Sequence, residues 1–364
     1  MVLDPTWQPF AYDAKADRLV FAHLPRAVQR GKVFLDQRYV QDVPMSAPIA
    51  AKALSRDAVR AQAGPIHFIF HTAFCCSTLL TRALDIPGAA MGLKEPAILG
   101  SFADANAIRP NSLDVTTSLG IALDLLSRPL APGEVQVLKA SNLANTLVPQ
   151  LLDLRSDAKA IIMHSTLENY LRSTAQKSIA GRAFNREALM LLHPVMPLSS
   201  ELTPDVLLRL TDLEIAALVW LMQMRFLNDV ALRYGTARVR TLHGKTLLQR
   251  PAETLTRVGA FFGIDLPQTT TWDAIADGPI FREHAKAFGR PFDAEARAAE
   301  LQAAGEKHAI EIESVMQWAQ GIAANTAAPQ MLGDTLFNAR PAQPGPASRA
   351  GNGAPQGPQA QHHS

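Results

Sequence analysis

The chain contains little cysteine. Its two cysteines, Cys75 and Cys76, are adjacent. Neighbouring cysteines are poorly placed to bridge each other, so the sequence excludes a disulfide framework and favours a reducing compartment. The N-terminal residues also lack a basic segment followed by an apolar run, which argues against a signal peptide. We therefore expect a cytoplasmic protein.

Long apolar runs and a strong excess of one charge are missing as well. The formal net charge is +2, which disfavours a broad nucleic-acid surface, because such surfaces are strongly basic. The most apolar run, residues 215–222, is too short to span a bilayer and leads into Gln223 and Arg225. We expect a buried helix there, and small molecules rather than nucleic acid or membranes as partners. The oligomeric state is left open.

From Gly64 onward, short apolar runs alternate with helical patterns. The pattern predicts strands at residues 67–70, 89–93, 134–139, 159–164 and 237–242. It predicts helices at residues 78–84, 118–126, 145–154, 167–179, 211–234, 252–262 and 294–323. Such alternation is typical of a parallel sheet with helices on both faces. The predicted fold class is therefore α/β.

The organisation along the chain follows from this pattern. Residues 1–60 are predicted to be an N-terminal extension, with an edge hairpin at residues 31–40. Residues 61–325 form the α/β domain, with a helical insertion at about residues 182–234 whose first part is a candidate lid or acceptor pocket. Residues 340–364 are rich in Pro, Gly, Ala and Gln and are predicted to be disordered.

A loop of small residues follows the first core strand. In open α/β sheets, ligands bind beyond the carboxyl ends of the strands. Ala73, Cys75, Cys76 and Ser77 let the backbone wrap closely around an anion. Ser77 and Thr78 can cap the following helix or donate hydroxyl groups to phosphate. A helix start that binds nothing remains the alternative.

The same loop lacks the Gly-x-x-x-x-Gly-Lys-Ser/Thr pattern of a Walker A motif, since residues 71–78 hold neither glycine nor lysine. The lysine that reaches the terminal phosphates of a nucleoside triphosphate is therefore absent. This absence disfavours an enzyme that hydrolyses ATP or GTP.

Residues 73–80, AFCCSTLL, resemble the first loop of the sulfotransferases, which typically reads Pro-Arg/Lys-Ser-Gly-Thr-Thr-Leu. Ser77, Thr78 and Leu79 fit that pattern, whereas Phe74 replaces the basic residue and Cys76 the glycine. Residues 92–99, 161–173 and 247–264 are similar to later segments of the family, in the same order. The resemblance covers about residues 64–265.

The resemblance implies a three-layer, P-loop NTPase-like fold and transfer of a sulfuryl group from 3′-phosphoadenosine 5′-phosphosulfate (PAPS) to an acceptor hydroxyl or amine, with no metal. The acceptor would be a small molecule or a carbohydrate. Ser173 matches the family's serine for the 3′-phosphate, and Ser165 stands where its arginine belongs. The donor-binding candidates are Ala73, Phe74, Cys75, Cys76, Ser77, Thr78, Lys139, Ser165, Ser173 and Lys286.

An alcohol acceptor also benefits from a general base. Glu95 follows the second core strand, and many members of the family resemble this chain in having a glutamate there. His71 is the alternative base. The alternative interpretation is that Glu95 forms an ordinary ion pair with Lys94 or Arg82 and does not act as a base.

Positively charged side chains must balance the negative charge of the phosphosulfate donor. The candidates are Lys94, Lys139, Arg172, Lys177, Arg282, His284 and Lys286. Lys139 is favoured because it ends a predicted core strand, and Lys286 lies in a segment that resembles the family's late basic segment. Two other functions remain open: a nucleotide kinase or hydrolase, and a non-catalytic nucleotide-binding scaffold, which Phe74 and Ser165 favour.

Overall fold

A computed structural model of the chain describes residues 2–286 and 294–338. The strands are β1 Trp7–Asp13, β2 Arg18–His23, β3 Ile49–Ala50, β4 Ile66–His71, β5 Ala90–Lys94, β6 Val135–Lys139, β7 Ala160–His164 and β8 Val239–His243. The α-helices are α1 Arg26–Gly31, α2 Arg56–Arg60, α3 Ser77–Ala83, α4 Ala97–Ile108, α5 Leu113–Leu126, α6 Val148–Leu154, α7 Leu167–Gln176, α8 Ser178–Leu192, α9 Pro204–Leu208, α10 Asp212–Arg238, α11 Gly244–Gln249, α12 Pro251–Phe262, α13 Trp272–Ala276, α14 Ala294–Lys307, α15 Ala309–Thr326 and α16 Thr335–Asn338.

The central sheet has the strand order β5–β6–β4–β7–β8, and every pair of neighbours is parallel. All residues of β4 are buried, because helices cover both faces of the sheet. Helices α4, α5, α7, α8, α10 and α15 pack on one face and α3, α11 and α12 on the other. The predicted α/β fold, with a central parallel sheet flanked by helices, is confirmed.

The long helix α10 lies in the core. Thr211 and Glu214 form a reciprocal capping box at its start, and Gly235, with φ 69°, kinks it near its end. Its length and composition would suffice to cross a membrane. However, its apolar stretch, with Trp220 fully buried, packs against α7, α8 and α15, so the core accounts for its hydrophobicity.

The N-terminal part forms a small antiparallel sheet of β1, β2 and β3. The hairpin predicted at residues 31–40 was wrong, since no strand lies there. That segment runs along the end of β5: the Leu35 N–H donates to the Lys94 carbonyl at 2.7 Å, and the Ala97 N–H donates to the Leu35 carbonyl at 3.0 Å. Backbone pairing to the central sheet thus overrides the weak alternation.

Two predicted helices have different bounds. The helix predicted at residues 167–179 ends at Gln176, and a separate helix, α8, follows it from Ser178. The helix predicted at residues 294–323 is interrupted at His308, where φ is −116° and ψ is 24°. The predicted tail, residues 340–364, lies outside the described residues, and the division into domains remains a prediction.

Candidate active site

The loop between β4 and α3 has a strained backbone. Ala73, Phe74 and Cys76 have φ values of 67°, 51° and 65°. Such left-handed conformations are uncommon without glycine, cost about 1–3 kcal/mol each and cluster at functional sites. Gly244 supports the loop from α11, because a Cβ there would lie 2.5 Å from the Cys75 carbonyl oxygen. The loop is therefore held in a conformation that its own sequence does not favour.

The start of α3 differs from the prediction. Its N-cap residue is Cys76, which makes no side-chain capping bond, so neither Ser77 nor Thr78 caps the helix. Both are buried in the first turn. Burial raises the pKa of Cys75 to about 11, and its thiol donates to the Met163 carbonyl at 3.4 Å. Hydroxyl donation from Ser77 and Thr78 to a ligand remains a prediction.

The left-handed Cys76 explains why glycine stands at this position in the family's pattern. We expect Cys76→Gly to be more stable than Cys76→Ala by about 0.5–1 kcal/mol, because relief of left-handed strain exceeds the entropic cost of glycine. Urea denaturation of the two variants measures the difference. A glycine variant less stable than the alanine variant would contradict this expectation.

Glu95 lies directly after β5 and pairs with Lys139. The Lys139 ammonium contacts Glu95 Oε1, and the Glu95 N–H donates to the Lys139 carbonyl at 2.8 Å. Lys139 is 1% exposed and the Glu95 side chain 12% exposed. Because β5 and β6 are neighbours that end at the same level, the sheet itself brings the two groups together.

The other expected partners of Glu95 are engaged elsewhere. The Lys94 ammonium donates to the Lys32 carbonyl at 2.6 Å. The Arg82 guanidinium lies 3.4 Å from the Glu283 carboxylate. The predicted pairing of Glu95 with Lys94 or Arg82 was therefore wrong.

His71 ends β4 beside this pair. Its Nδ1 accepts the Ala73 N–H at 2.9 Å, so the proton of the neutral ring belongs on Nε2. Nε2 lies 3.9 Å from Glu95 Oε1 and is buried without a hydrogen-bond partner among the described residues. Burial, reinforced by the charge of Lys139, holds the pKa of His71 well below its ordinary value. The ring is thus arranged as a donor, which leaves Glu95 as the group able to take a proton.

Two lysines from distant parts of the chain meet at Phe34. The ring centroid of Phe34 lies 5.2 Å from Lys139 Nζ and 5.4 Å from Lys286 Nζ, within the range of cation–π attraction. Lys286 retains access to solvent, and the charges of Lys139 and Lys177 act on it. Desolvation and the nearby charge of Lys139 lower the pKa of Lys286 to about 8. The predicted candidates Lys139 and Lys286 are therefore neighbours in space.

A third lysine faces the loop itself. Lys177, at the end of α7, places Nζ 5.1 Å from the centroid of the Phe74 ring. The Phe74 ring in turn meets Tyr170 edge-on at 5.1 Å. Desolvation and the charge of Arg38 lower the pKa of Lys177. Phe74 thus holds the Lys177 ammonium, which comes from another helix, close to the loop.

Arg38 completes a set that we call the cationic cluster: Arg38, Lys139, Lys177 and Lys286. The hydrogen-bonded ion pair with Asp36 raises the pKa of Arg38. The charge of Glu95 acts in the same direction. The sequence did not single out Arg38 or Phe34, because both lie in the extension that had no assigned role. The sequence gives one sign of their role: basic and aromatic residues are interspersed at residues 32–39.

The remaining predicted residues make various contacts, and His284 lies beside the cationic cluster, since its Nδ1 accepts the Lys286 N–H at 3.2 Å. Ser165 and Ser173 are buried, and the Ser165 hydroxyl has no hydrogen-bond partner in the described part of the chain. Arg172 pairs with Glu168 one helical turn away at 2.5 Å, while Arg282 and His284 are exposed. Within residues 2–286 and 294–338, no group of three or more His, Cys, Asp or Glu side chains is arranged to hold a metal ion.

Comparison with profiles of known protein families gives no match, and comparison with curated proteins gives none. Among solved structures, the chain is similar to a sulfotransferase domain from the curacin biosynthetic pathway, at 13% identity and a TM-score of 0.41 over 73% of this chain and 98% of that one. It is also similar to a sulfotransferase from Mycobacterium tuberculosis H37Rv, at 13% identity and a TM-score of 0.40 over 70% and 80% of the two chains. A third is a sulfotransferase from Alicyclobacillus acidocaldarius, at 16% identity and a TM-score of 0.35 over 69% and 96%.

Proposed function

We propose that this protein transfers a sulfuryl group from PAPS to an acceptor hydroxyl or amine. The observation that carries the proposal is the cationic cluster beside the Glu95 carboxylate at the carboxyl edge of the sheet. Desolvation and then neighbouring positive charges lower the pKa values of Lys177 and Lys286, and a bound anion relieves this unfavourable environment. A donor with several phosphate and sulfate oxygens supplies that anion, and Glu95 supplies the base.

The fit to a phosphosulfate donor is supported by the loop. Left-handed residues in a strand-to-helix loop form concave nests of backbone N–H groups, which suit phosphate oxygens. In the described part of the chain, the N–H groups of Phe74 and Cys75 have no hydrogen-bond acceptor. The Nε2–H of His71 is a further buried donor without a partner. Lys177, held over Phe74, supplies the charge that the loop lacks.

The transfer itself needs charge placed on both sides of the sulfur. The acceptor oxygen forms a bond to sulfur, its proton passes to Glu95, and the bond between sulfur and the bridging phosphate oxygen breaks with its electron pair on the phosphate. Lys139 holds the Glu95 carboxylate in place before this step. As Glu95 takes the proton, its hold on Lys139 weakens, so that the ammonium can stabilise charge on the departing oxygen.

Ligand-induced stabilisation tests the proposal. We expect adenosine 3′,5′-bisphosphate, the product of the donor, to raise the melting temperature by several degrees, since a ligand at about 100 times its Kd stabilises by about 2.7 kcal/mol. ATP at the same concentration should give a smaller shift, because the loop lacks the lysine for terminal phosphates. Differential scanning fluorimetry measures both.

Adenosine 5′-monophosphate lacks only the 3′-phosphate, so it is the matched control for the contribution of that phosphate to the melting-temperature shift. A shift with ATP alone would replace the proposal with a kinase or hydrolase. The absence of any shift would favour a scaffold without nucleotide chemistry.

A further inference from the structure

A cavity of about 350 Å³ opens beside Glu95. It lies between α4, the 3₁₀ helix Asn142–Leu147 and α8, and the segment after α1 closes its remaining side. This volume is near the lower end of the range for small-molecule sites. The cavity is therefore large enough for one small polar molecule whose reactive group would meet Glu95.

Small residues on one face of α4 create the space. Ala97, Gly100, Asp104 and Ala107 line the cavity at the spacing of successive helical turns. A Cβ placed on Gly100 would meet no atom within 4 Å. A larger side chain at this position would consequently fill the cavity without a clash.

The charge of the cavity is opposite to that of the donor site. The carboxylates of Asp36, Asp104 and Glu187 line it, and they come from three separate elements. Asp36 is engaged by Arg38, whereas Asp104 and Glu187 form no ion pair within the described residues. Burial in the groove raises the pKa of Asp104. The walls thus repel an anion and attract a cation.

Polar groups lie at and behind the end of the cavity that Glu95 lines. The His71 ring is 4% exposed, and its Nε2 has no hydrogen-bond partner among the described residues and is directed at the Glu95 carboxylate. Serine and threonine hydroxyls, from Ser101, Ser141 and Thr146, line the cavity as well. Hydroxyl groups can both donate and accept hydrogen bonds, so these side chains suit a ligand that carries hydroxyl groups.

We propose that the acceptor is a small hydroxyl compound that carries an ammonium group, such as an amino sugar or an amino alcohol. This inference rests on the proposed sulfuryl transfer. The acceptor hydroxyl oxygen bonds to sulfur, its proton goes to Glu95, and adenosine 3′,5′-bisphosphate leaves with the electron pair of the broken bond. Asp104 and Glu187 bind the ammonium group away from the reacting oxygen.

Three sugars that differ in charge test the proposal: glucosamine, glucose and glucuronate. Their binding to protein saturated with adenosine 3′,5′-bisphosphate is followed by ligand-observed NMR at neutral pH. We expect glucosamine to bind at least about fivefold more tightly than glucose, and glucuronate more weakly still, because a solvated ion pair at 4 Å contributes about 1 kcal/mol. Preference for glucuronate, equal binding of all three or no binding of glucosamine would overturn the inference.

Variants locate the binding. Gly100→Leu should abolish glucosamine binding, whereas Gly321→Leu, an exposed helical glycine with an equally open Cβ, should retain it. Asp104→Asn combined with Glu187→Gln should lower the affinity for glucosamine to that for glucose. The matched control combines Asp205→Asn with Glu201→Gln, at exposed carboxylates on another surface. Unchanged glucosamine binding in the cavity variants would overturn the inference.

The melting-temperature shift with adenosine 3′,5′-bisphosphate is read separately in every variant. The Gly100→Leu protein should keep that shift, which also shows that it folds. A preserved shift without a preference for glucosamine overturns the acceptor inference alone. If the parent protein shows no melting-temperature shift with adenosine 3′,5′-bisphosphate, the proposed function is overturned instead.

Discussion

Glu95→Gln is expected to destabilise the protein by about 3–5 kcal/mol and to abolish most of its transfer activity. The substitution removes the counter-charge of Lys139, whose side chain is 1% exposed. Breaking a buried ion pair by removing one partner carries a cost of this size, because an uncompensated charge stays in the interior. The loss of a general base lowers the rate by about 10²–10⁴ in addition.

The two effects can be separated by a double variant. Lys139→Met alone should destabilise the protein by a similar amount, because it leaves Glu95 without its partner. Glu95→Gln combined with Lys139→Met should recover most of the stability, since no buried charge is then unpaired. Activity should not return, because both proposed catalytic groups are missing.

Urea denaturation and a radiolabelled sulfate transfer assay measure these outcomes. Asp205→Asn, at an exposed carboxylate outside the site, serves as the control for general effects of removing a charge. If the two single variants were as stable as the parent, the pair would not have the structural role that we assign to it. If the double variant were active, Glu95 would not be the base.

Affinity for adenosine 3′,5′-bisphosphate is expected to be lost progressively as the pH rises above about 8. The pKa of Lys286 is lowered to about 8, first by desolvation and then by the charge of Lys139. In the free protein, the Lys286 side chain is therefore mainly a charged ammonium group below this pH and mainly a neutral amine above it. A bound phosphate raises this pKa, so binding takes up a proton above pH 8.

Affinity should therefore begin to fall between about pH 7 and 8 and then approach a loss of tenfold per pH unit above pH 8. Lys177, whose pKa is also lowered, acts in the same direction. The buried Cys75 thiol, with its pKa at about 11, remains neutral over this range. Isothermal titration calorimetry in buffers of different ionisation enthalpy measures both affinity and proton uptake.

Lys286→Arg provides the sharpest control, because a guanidinium remains charged across the whole range. This variant should bind with a flatter pH profile than the parent. Lys52→Arg, at an exposed lysine outside the cationic cluster, should keep the profile of the parent. A Lys286→Arg protein whose affinity falls as steeply as that of the parent would contradict the assignment.

The strands of the central sheet could be predicted because each is a short, almost uninterrupted apolar run. Parallel strands buried on both faces require such runs, and β4, β6 and β7 end close to the predicted positions. Lys139 and Glu95 could be placed at the carboxyl edge for the same reason, since each follows or ends one of these strands.

Other parts of the site have no local pattern. Phe34 and Arg38 reach the sheet only because the backbone at Leu35 pairs with Lys94 and Ala97. Lys177 ends a surface helix, where a solvated charge is the ordinary expectation. Its position over Phe74 depends on how α7 packs on the sheet, which is a property of the whole core.

The sequence by itself therefore determined the α/β fold, the position of the loop and the edge at which Glu95 and Lys139 lie, because hydrophobic periodicity and strand ends are local properties. Only the tertiary structure decided which cations compensate for Phe74, which partner holds Glu95 and where an acidic cavity opens. These depend on contacts between residues far apart in the chain, and such contacts leave no periodic pattern in the sequence.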